Sequence, residues 1–114
     1  MLKKIIFIVG PTGVGKSDVG FLLAQQTNGE IVSCDAMQVY KEVNIACDKP
    51  SAQMRLAIPH HCLDLVSVTE EFNVAQYRQA AMAAIDDILS RGKVPIIVGG
   101  SGMYMSVLLD GIFQ

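Results

Sequence analysis

The string Gly10-Pro11-Thr12-Gly13-Val14-Gly15-Lys16-Ser17 constrains this chain more than any other part of it. It follows Ile5 to Val9, a continuous β-branched and aromatic run that reads as a strand buried on both faces. It opens Gly15 to Thr27, where Val19, Leu22 and Leu23 stand among good helix formers. A strand, a glycine-rich turn and a helix in that order are the setting in which a G-x-x-x-x-G-K-S string holds phosphate. The glycines let main-chain amides converge on phosphate oxygens, and the helix N-terminus adds its partial positive charge. Gly10, Pro11, Thr12, Gly13, Val14, Gly15, Lys16 and Ser17 are therefore expected to cradle a di- or triphosphate. Lys16 would neutralise its terminal phosphate, and the Ser17 hydroxyl is the candidate ligand for Mg2+. A chance glycine turn is the competing reading, and the flanking strand and helix argue against it.

The rest of the chain continues the alternation. Asn28-Gly29 supplies a left-handed stop, and Glu30 to Cys34 reads as the second strand, completing a βαβ unit. Periodicity weakens from Tyr40 to Val68, where Pro50 and Pro59 predict turns and loops around a short helix at Ser51 to Leu56. Asn73 with Gln76 makes a capping box, after which Val74, Tyr77, Ala81, Ile85, Ile88 and Leu89 keep helical spacing up to Gly92. Val94 to Val98 is a third buried strand, and Gly99-Gly100-Ser101-Gly102 leads into a helical stretch from Met103 to Leu109. The pattern predicts an α/β fold, a P-loop NTPase-like parallel sheet flanked by helices, with residues 1–114 forming one unit. Three strands make a thin sheet, so the expectation is the N-terminal part of a larger fold, without its later strands.

With 51% apolar residues in 114, one modest core can be buried. The short apolar run after the basic start enters a glycine loop instead of a small-residue cleavage site, so it does not read as a signal peptide. No apolar stretch approaches the roughly 18 to 20 residues needed to span a bilayer, and a cytoplasmic protein without a membrane partner is expected. Cys34, Cys47 and Cys62 show no C-x-x-C spacing and are expected to be reduced thiols. The formal net charge of −2 gives no bulk attraction for a polyanion, so a nucleic-acid partner would have to be held by local features or by chain outside these residues.

The phosphate loop does not choose a reaction. A nucleotide or small-molecule kinase would use it for a nucleoside triphosphate such as ATP. A prenyltransferase would use it to stabilise a departing diphosphate through Lys16, the amides and magnesium. Asp35, directly after Ile31-Val32-Ser33-Cys34, stands where open α/β sheets place their ligands. Three readings are open for it: a turn or N-cap carboxylate, a magnesium ligand of the kinase type, or a general base for an amine nucleophile. Spacing alone does not decide among them.

Four further blocks resemble a known family, the tRNA dimethylallyltransferases. Asp35-Ala36-Met37-Gln38-Val39-Tyr40 is similar to the family's D-S-M-Q-V-Y segment, and Lys49-Pro50-Ser51 to its lysine-proline turn. Ile58-Pro59-His60-His61 with Asp64 is similar to its proline-histidine-histidine segment, and Gly99-Gly100-Ser101-Gly102-Met103-Tyr104 to its G-G-T-G-L-Y block. The resemblance runs through the whole chain and about the first two fifths of a typical member. It implies transfer of a dimethylallyl group from dimethylallyl diphosphate to the exocyclic amine of an adenine beside the anticodon, in the tRNA anticodon stem-loop. It implies that Asp35 accepts the amine proton, and that Thr12 and Lys16 contact the reacting diphosphate as the other catalytic residues. Asp35, Ala36, Met37 and Gln38 would face an extruded base, and Ser101, where the family has threonine, would touch the tRNA. The chain departs from the family at Ala46-Cys47-Asp48, where Gly-Thr-Ala is usual on the phosphate side, and mildly at Ala36. An adenylate isopentenyltransferase would share most of this chemistry. The 114 residues alone are expected to be an inactive or nearly inactive fragment.

His60-His61 has no cysteine or acidic partner at zinc-like spacing and is expected to make structural hydrogen bonds near a sheet edge. Met103 and Met105 are expected in the core, and Asp86-Asp87 on the solvated side of its helix.

Overall fold

A computed structural model describes residues 4–11, 15–42, 49–100 and 102–113. The elements are β1 (Ile6–Val9), α1 (Lys16–Thr27), β2 (Gly29–Cys34), α2 (Ala52–Ala57), β3 (His60–His61), α3 (Val74–Ser90), β4 (Val94–Gly99) and α4 (Met103–Ile112). Every expected strand and helix is present within a few residues of its expected bounds. β3 is an addition that a two-residue histidine pair could not announce.

The four strands form one parallel sheet in the order β1-β4-β2-β3. β1 and β2, joined through α1, are not neighbours. β4 lies between them and pairs Ile96 with Ile6 on one side and with Ile31 on the other. Successive residues of a strand face opposite sides of the sheet, and both sides are covered. Ile31, Ile96 and Val98 pack with Ala24 of α1. On the other face Val32, Cys34 and Ile97 pack with Tyr77, Ala81, Ile85 and Ile88 of α3 and with Met105 and Leu108 of α4.

Local signals account for the element ends. Asn28 caps α1 in the left-handed conformation (φ 56°), and the capping box of Asn73 and Gln76 starts α3. Gly92, also left-handed (φ 73°), follows the last turn of α3.

One expectation about burial is corrected. β1 pairs on one side only among the described residues, so it is half covered, and Val9 is 49% exposed. On α1 the large residues Val19 and Leu22 face outward (48% and 56% exposed), while Gly20 and Ala24 meet the sheet. A Cβ on Gly20 would stand 2.8 Å from Val98 Cγ2, so the helix lies too close to the sheet for a large side chain to intervene.

At the amino end of the sheet the fully buried Glu30 collects cations. Its carboxylate accepts both terminal nitrogens of Arg91 and the Nε2 proton of His61 (2.7 Å), with Lys93 Nζ at 3.5 Å. The Arg91 hydrogen bonds, aided by His61, outweigh burial and hold the Glu30 carboxyl down at about 2. His60 donates from Nδ1 to the Ile58 carbonyl at 2.7 Å, and burial pushes its pKa down. Both histidines thus make structural hydrogen bonds at the sheet edge, as expected.

Candidate active site

Val9, Gly99 and Cys34 are in register across β1, β4 and β2. The residues that follow them, Gly10, Gly100 and Asp35, therefore leave the carboxyl edge of the sheet at one level. With one strand between them, β1 and β2 end roughly 10 Å apart. This register brings the start of the expected phosphate loop, the glycine block and the second-strand aspartate to a single rim.

Close approach at that rim depends on Gly99. A Cβ there would lie 2.0 Å from the Cys34 carbonyl oxygen, and the Gly99 carbonyl accepts the Gly10 N–H at 3.2 Å. Gly15 precedes α1 in the left-handed conformation (φ 78°), with open space where a Cβ would be, so backbone conformation is what favours glycine there. Lys16 Nζ donates to the Pro11 carbonyl at 2.6 Å, which folds the ammonium back over its own loop. Ser17 is half-buried in the first turn of α1. Thr12, Gly13, Val14 and Ser101 lie outside the described residues, as do Ala46, Cys47 and Asp48.

Asp35 opens a tight turn. Its Oδ1 accepts the N–H groups of Met37 (2.8 Å) and Gln38 (3.3 Å), and no hydrogen bond to Oδ2 occurs among the described residues. Gln38 Oε1 accepts the Ser33 hydroxyl at 2.7 Å, which fixes that side chain against the strand. Beside Asp35 is a cavity of about 300 Å³ lined by Cys34, Ala36, Val74, Met103, Tyr104 and Met105, with Gly100 and Gly102 at its glycine side. Among the described residues Asp35 is the one carboxylate of this wall, and the other side chains that line it are mostly apolar. Burial pushes the Cys34 thiol up to about 11, so it stays neutral.

Met103 corrects an expectation: it is 68% exposed at the mouth of this cavity, while Met105 is buried. The first turn of α4 begins at the rim, so its outward position faces the cavity instead of α3.

Two supports were not visible in sequence. The Tyr77 hydroxyl, fully buried, donates to the Ser33 carbonyl at 2.8 Å, and its ring stacks on Tyr104 with centroids 4.3 Å apart. Helical periodicity marked Tyr77 as core, and only its hydroxyl hinted at a polar partner. The second support is Asp64, whose carboxylate bridges Lys49 (2.6 Å) and Arg55 (2.9 Å). Burial opposes charge on Asp64, but those two hydrogen bonds keep its carboxyl below the usual range.

Among the described residues no group of three His, Cys, Asp or Glu side chains could hold a metal ion, and no helix is long and apolar enough to cross a membrane.

A family model described as IPP transferase matches residues 38–114. The chain is 49% identical over 109 residues to tRNA dimethylallyltransferase 2 of Geotalea uraniireducens, covering 96% of this chain and 35% of that protein. It is 50% identical to the tRNA dimethylallyltransferase of Desulfitobacterium hafniense, again with 96% and 35% covered. Its fold is similar to that of a eukaryotic dimethylallyltransferase acting on tRNA (TM-score 0.87, 46% identity, 94% of this chain and 27% of that one). It is also similar to the tRNA isopentenylpyrophosphate transferase of Bacillus halodurans (TM-score 0.89, 38% identity, 96% and 36%). The chain thus spans little more than a third of the length of the curated relatives it matches. With the family match running through more than half of its residues, the chain belongs to the IPP transferase family.

Proposed function

We propose that the protein containing these residues transfers a dimethylallyl group from dimethylallyl diphosphate to the exocyclic amine of an adenine next to the anticodon of tRNA. The observation that carries this reading is the mostly apolar cavity with Asp35 as its one carboxylate among the described residues, level with the start of the phosphate loop. A carboxylate beside a mostly apolar wall suits a neutral aromatic amine as the group it meets. The relatives' names and the eukaryotic relative acting on tRNA support the same choice.

Gly10, Pro11, Gly15, Lys16 and Ser17, with Thr12, Gly13 and Val14, would hold the donor diphosphate. Lys16 would leave the Pro11 carbonyl to meet it. The donor set fits Mg2+ in its usual manner, with the Ser17 hydroxyl as the protein ligand and phosphate and water oxygens completing the shell. When bound, the ion would offset charge on the diphosphate.

The allylic carbon–oxygen bond breaks, and its electron pair leaves with the diphosphate. The amine lone pair forms the new nitrogen–carbon bond, and Asp35 Oδ2 accepts the proton released from that nitrogen. Oδ1 is occupied by the Met37 and Gln38 amides, which fix the carboxylate plane without consuming the oxygen that would act as base. The target adenine must be extruded to reach this cavity, where Ala36, Met37, Gln38 and Ser101 would face it.

The test is transfer of radiolabel from dimethylallyl diphosphate to unmodified tRNA by the complete gene product, its Asp35→Ala variant and the 114-residue chain alone. Label on tRNA that falls by at least about a hundredfold in Asp35→Ala supports the assignment of the base. The isolated chain is expected to transfer little or none. Label on free AMP, or phosphate released from ATP, with none on tRNA would replace this reading with an adenylate isopentenyltransferase or a kinase.

A further inference from the structure

We propose that Lys49 is a positioning residue for the Asp35 turn, acting as a buried clamp that locks the following loop against the strap formed by residues 62–66. The proposal rests on the reading of Asp35 as base given above.

The loop that carries Asp35 begins directly after β2, and residues 35–42 include no helix to hold it. Its far end is held by a short parallel ladder instead. Asp64 N–H donates to Gln38 O (3.0 Å), Leu65 and Val66 N–H to Val39 O (2.7 and 3.1 Å), and Lys41 N–H to Val66 O (2.9 Å). The strap is an unfavourable backbone to maintain, because Cys62 and Asp64 both have positive φ (67° and 54°) and neither is glycine. Something must hold it.

Lys49 has the geometry to do so. Its Nζ donates to Asp64 Oδ1 (2.6 Å) on the strap and to the Tyr40 carbonyl (2.7 Å) on the loop, so one ammonium joins the two segments. Its side chain is 7% exposed, where solvent screens the contact weakly. Arg55 holds the second Asp64 oxygen from α2, which prevents the carboxylate from turning away. Between this clamp and Asp35, Val39 is fully buried and Gln38 is tied to Ser33, leaving little slack. The turn that aims Asp35 is thus fixed at one end by β2 and at the other by Lys49.

The test compares Lys49→Met, which keeps the length of the side chain and removes the ammonium, with Asp64→Asn and Asp64→Ala in the complete gene product. Displacing a base by a fraction of an ångström slows the chemical step, so kcat with tRNA should fall about ten- to a hundredfold in Lys49→Met and Asp64→Ala. The phosphate loop lies elsewhere on the rim, so KM for dimethylallyl diphosphate should stay within about twofold, with unchanged binding stoichiometry. Asp64→Asn keeps an acceptor for Lys49 and tolerates positive φ, and should recover most of kcat. Hydrogen exchange at the Lys41 and Leu65 amides should accelerate in Lys49→Met, while Ile97 in β4 remains protected.

Unchanged kcat with unchanged exchange in folded Lys49→Met would overturn the proposal. So would a loss of kcat matched by an equal loss of donor-binding stoichiometry, since that marks unfolding. A wild type that transfers nothing to tRNA sinks the reading of Asp35 instead, and exchange at Lys41 and Leu65 then decides the clamp by itself.

Discussion

The hydroxyl of Tyr77 reaches from the first turns of α3 to the main-chain carbonyl of Ser33, two residues before Asp35, at 2.8 Å. β3 stops level with Val32, so the sheet's outer strand no longer accompanies β2 where this bond forms. Tyr77 therefore joins α3, α4 through its stacking on Tyr104, and the end of the strand that presents the proposed base.

Tyr77→Phe should keep the packing and lose the bond, leaving a buried carbonyl short of its donor. The expected loss is about 1 to 2 kcal/mol, or roughly 5 to 10 °C in thermal midpoint for a domain of this size. Thermal unfolding followed by circular dichroism measures it, and an unchanged midpoint would show that the bond contributes nothing net.

Glu30 gives the protein an acid limit. Its folded-state pKa of about 2 lies below the ordinary 4.5, so the ionised group stabilises the fold fully above about pH 4.5. That contribution is lost as pH falls from there towards 2. Urea unfolding should show stability dropping steeply through this window in the wild type and less steeply in Glu30→Gln. The variant should also be weaker at pH 7 by on the order of 2 kcal/mol, since Arg91 and His61 lose their carboxylate. Parallel pH curves for the two proteins would contradict the assignment.

Gly99→Ala and Gly20→Ala should behave differently. The Gly99 Cβ would overlap the Cys34 carbonyl, which is main chain and cannot turn aside, so β4 must move off β2 at about 3 kcal/mol or more. The Gly20 Cβ would press on a Val98 methyl, and the gain of about 1 kcal/mol in helix propensity offsets much of that strain. Chemical denaturation should rank wild type and Gly20→Ala close together and Gly99→Ala far below, and the reverse order would refute the packing argument.

Lys16→Met should leave stability nearly unchanged, because its bond to Pro11 is exposed, and weaken binding of dimethylallyl diphosphate by at least about tenfold. Calorimetric titration of the complete gene product reads this directly. Equal affinities would remove Lys16 from the diphosphate site.

What could be read from the sequence was what neighbours in the chain decide. The capping box at Asn73, the left-handed Asn28, the strand-to-loop-to-helix context of Lys16 and the place of Asp35 at a strand end are all local. The insertion of β4 between β1 and β2 is not, since Ile6 meets Ile96 across most of the chain. The roles of Gly99 and Gly20 follow from that insertion and were hidden with it. Met103 misled because a large apolar side chain was expected in the core, where a cavity mouth required otherwise. Glu30 looked like the polar start of a strand, and its partners Arg91, Lys93 and His61 lie far along the chain.

The strand order also sets a timetable for synthesis. β1 and β2 leave the ribosome first, but each is bonded to β4, which follows only after α2, β3 and α3. Until then neither early strand has its central partner, and closing the Ile6 to Ile96 pairing must span nearly the whole chain. The candidate phosphate loop and Asp35 are accordingly strangers until β4 has been made. β4 introduces them, so the nascent chain acquires the centre of this sheet and the alignment of its rim in one event.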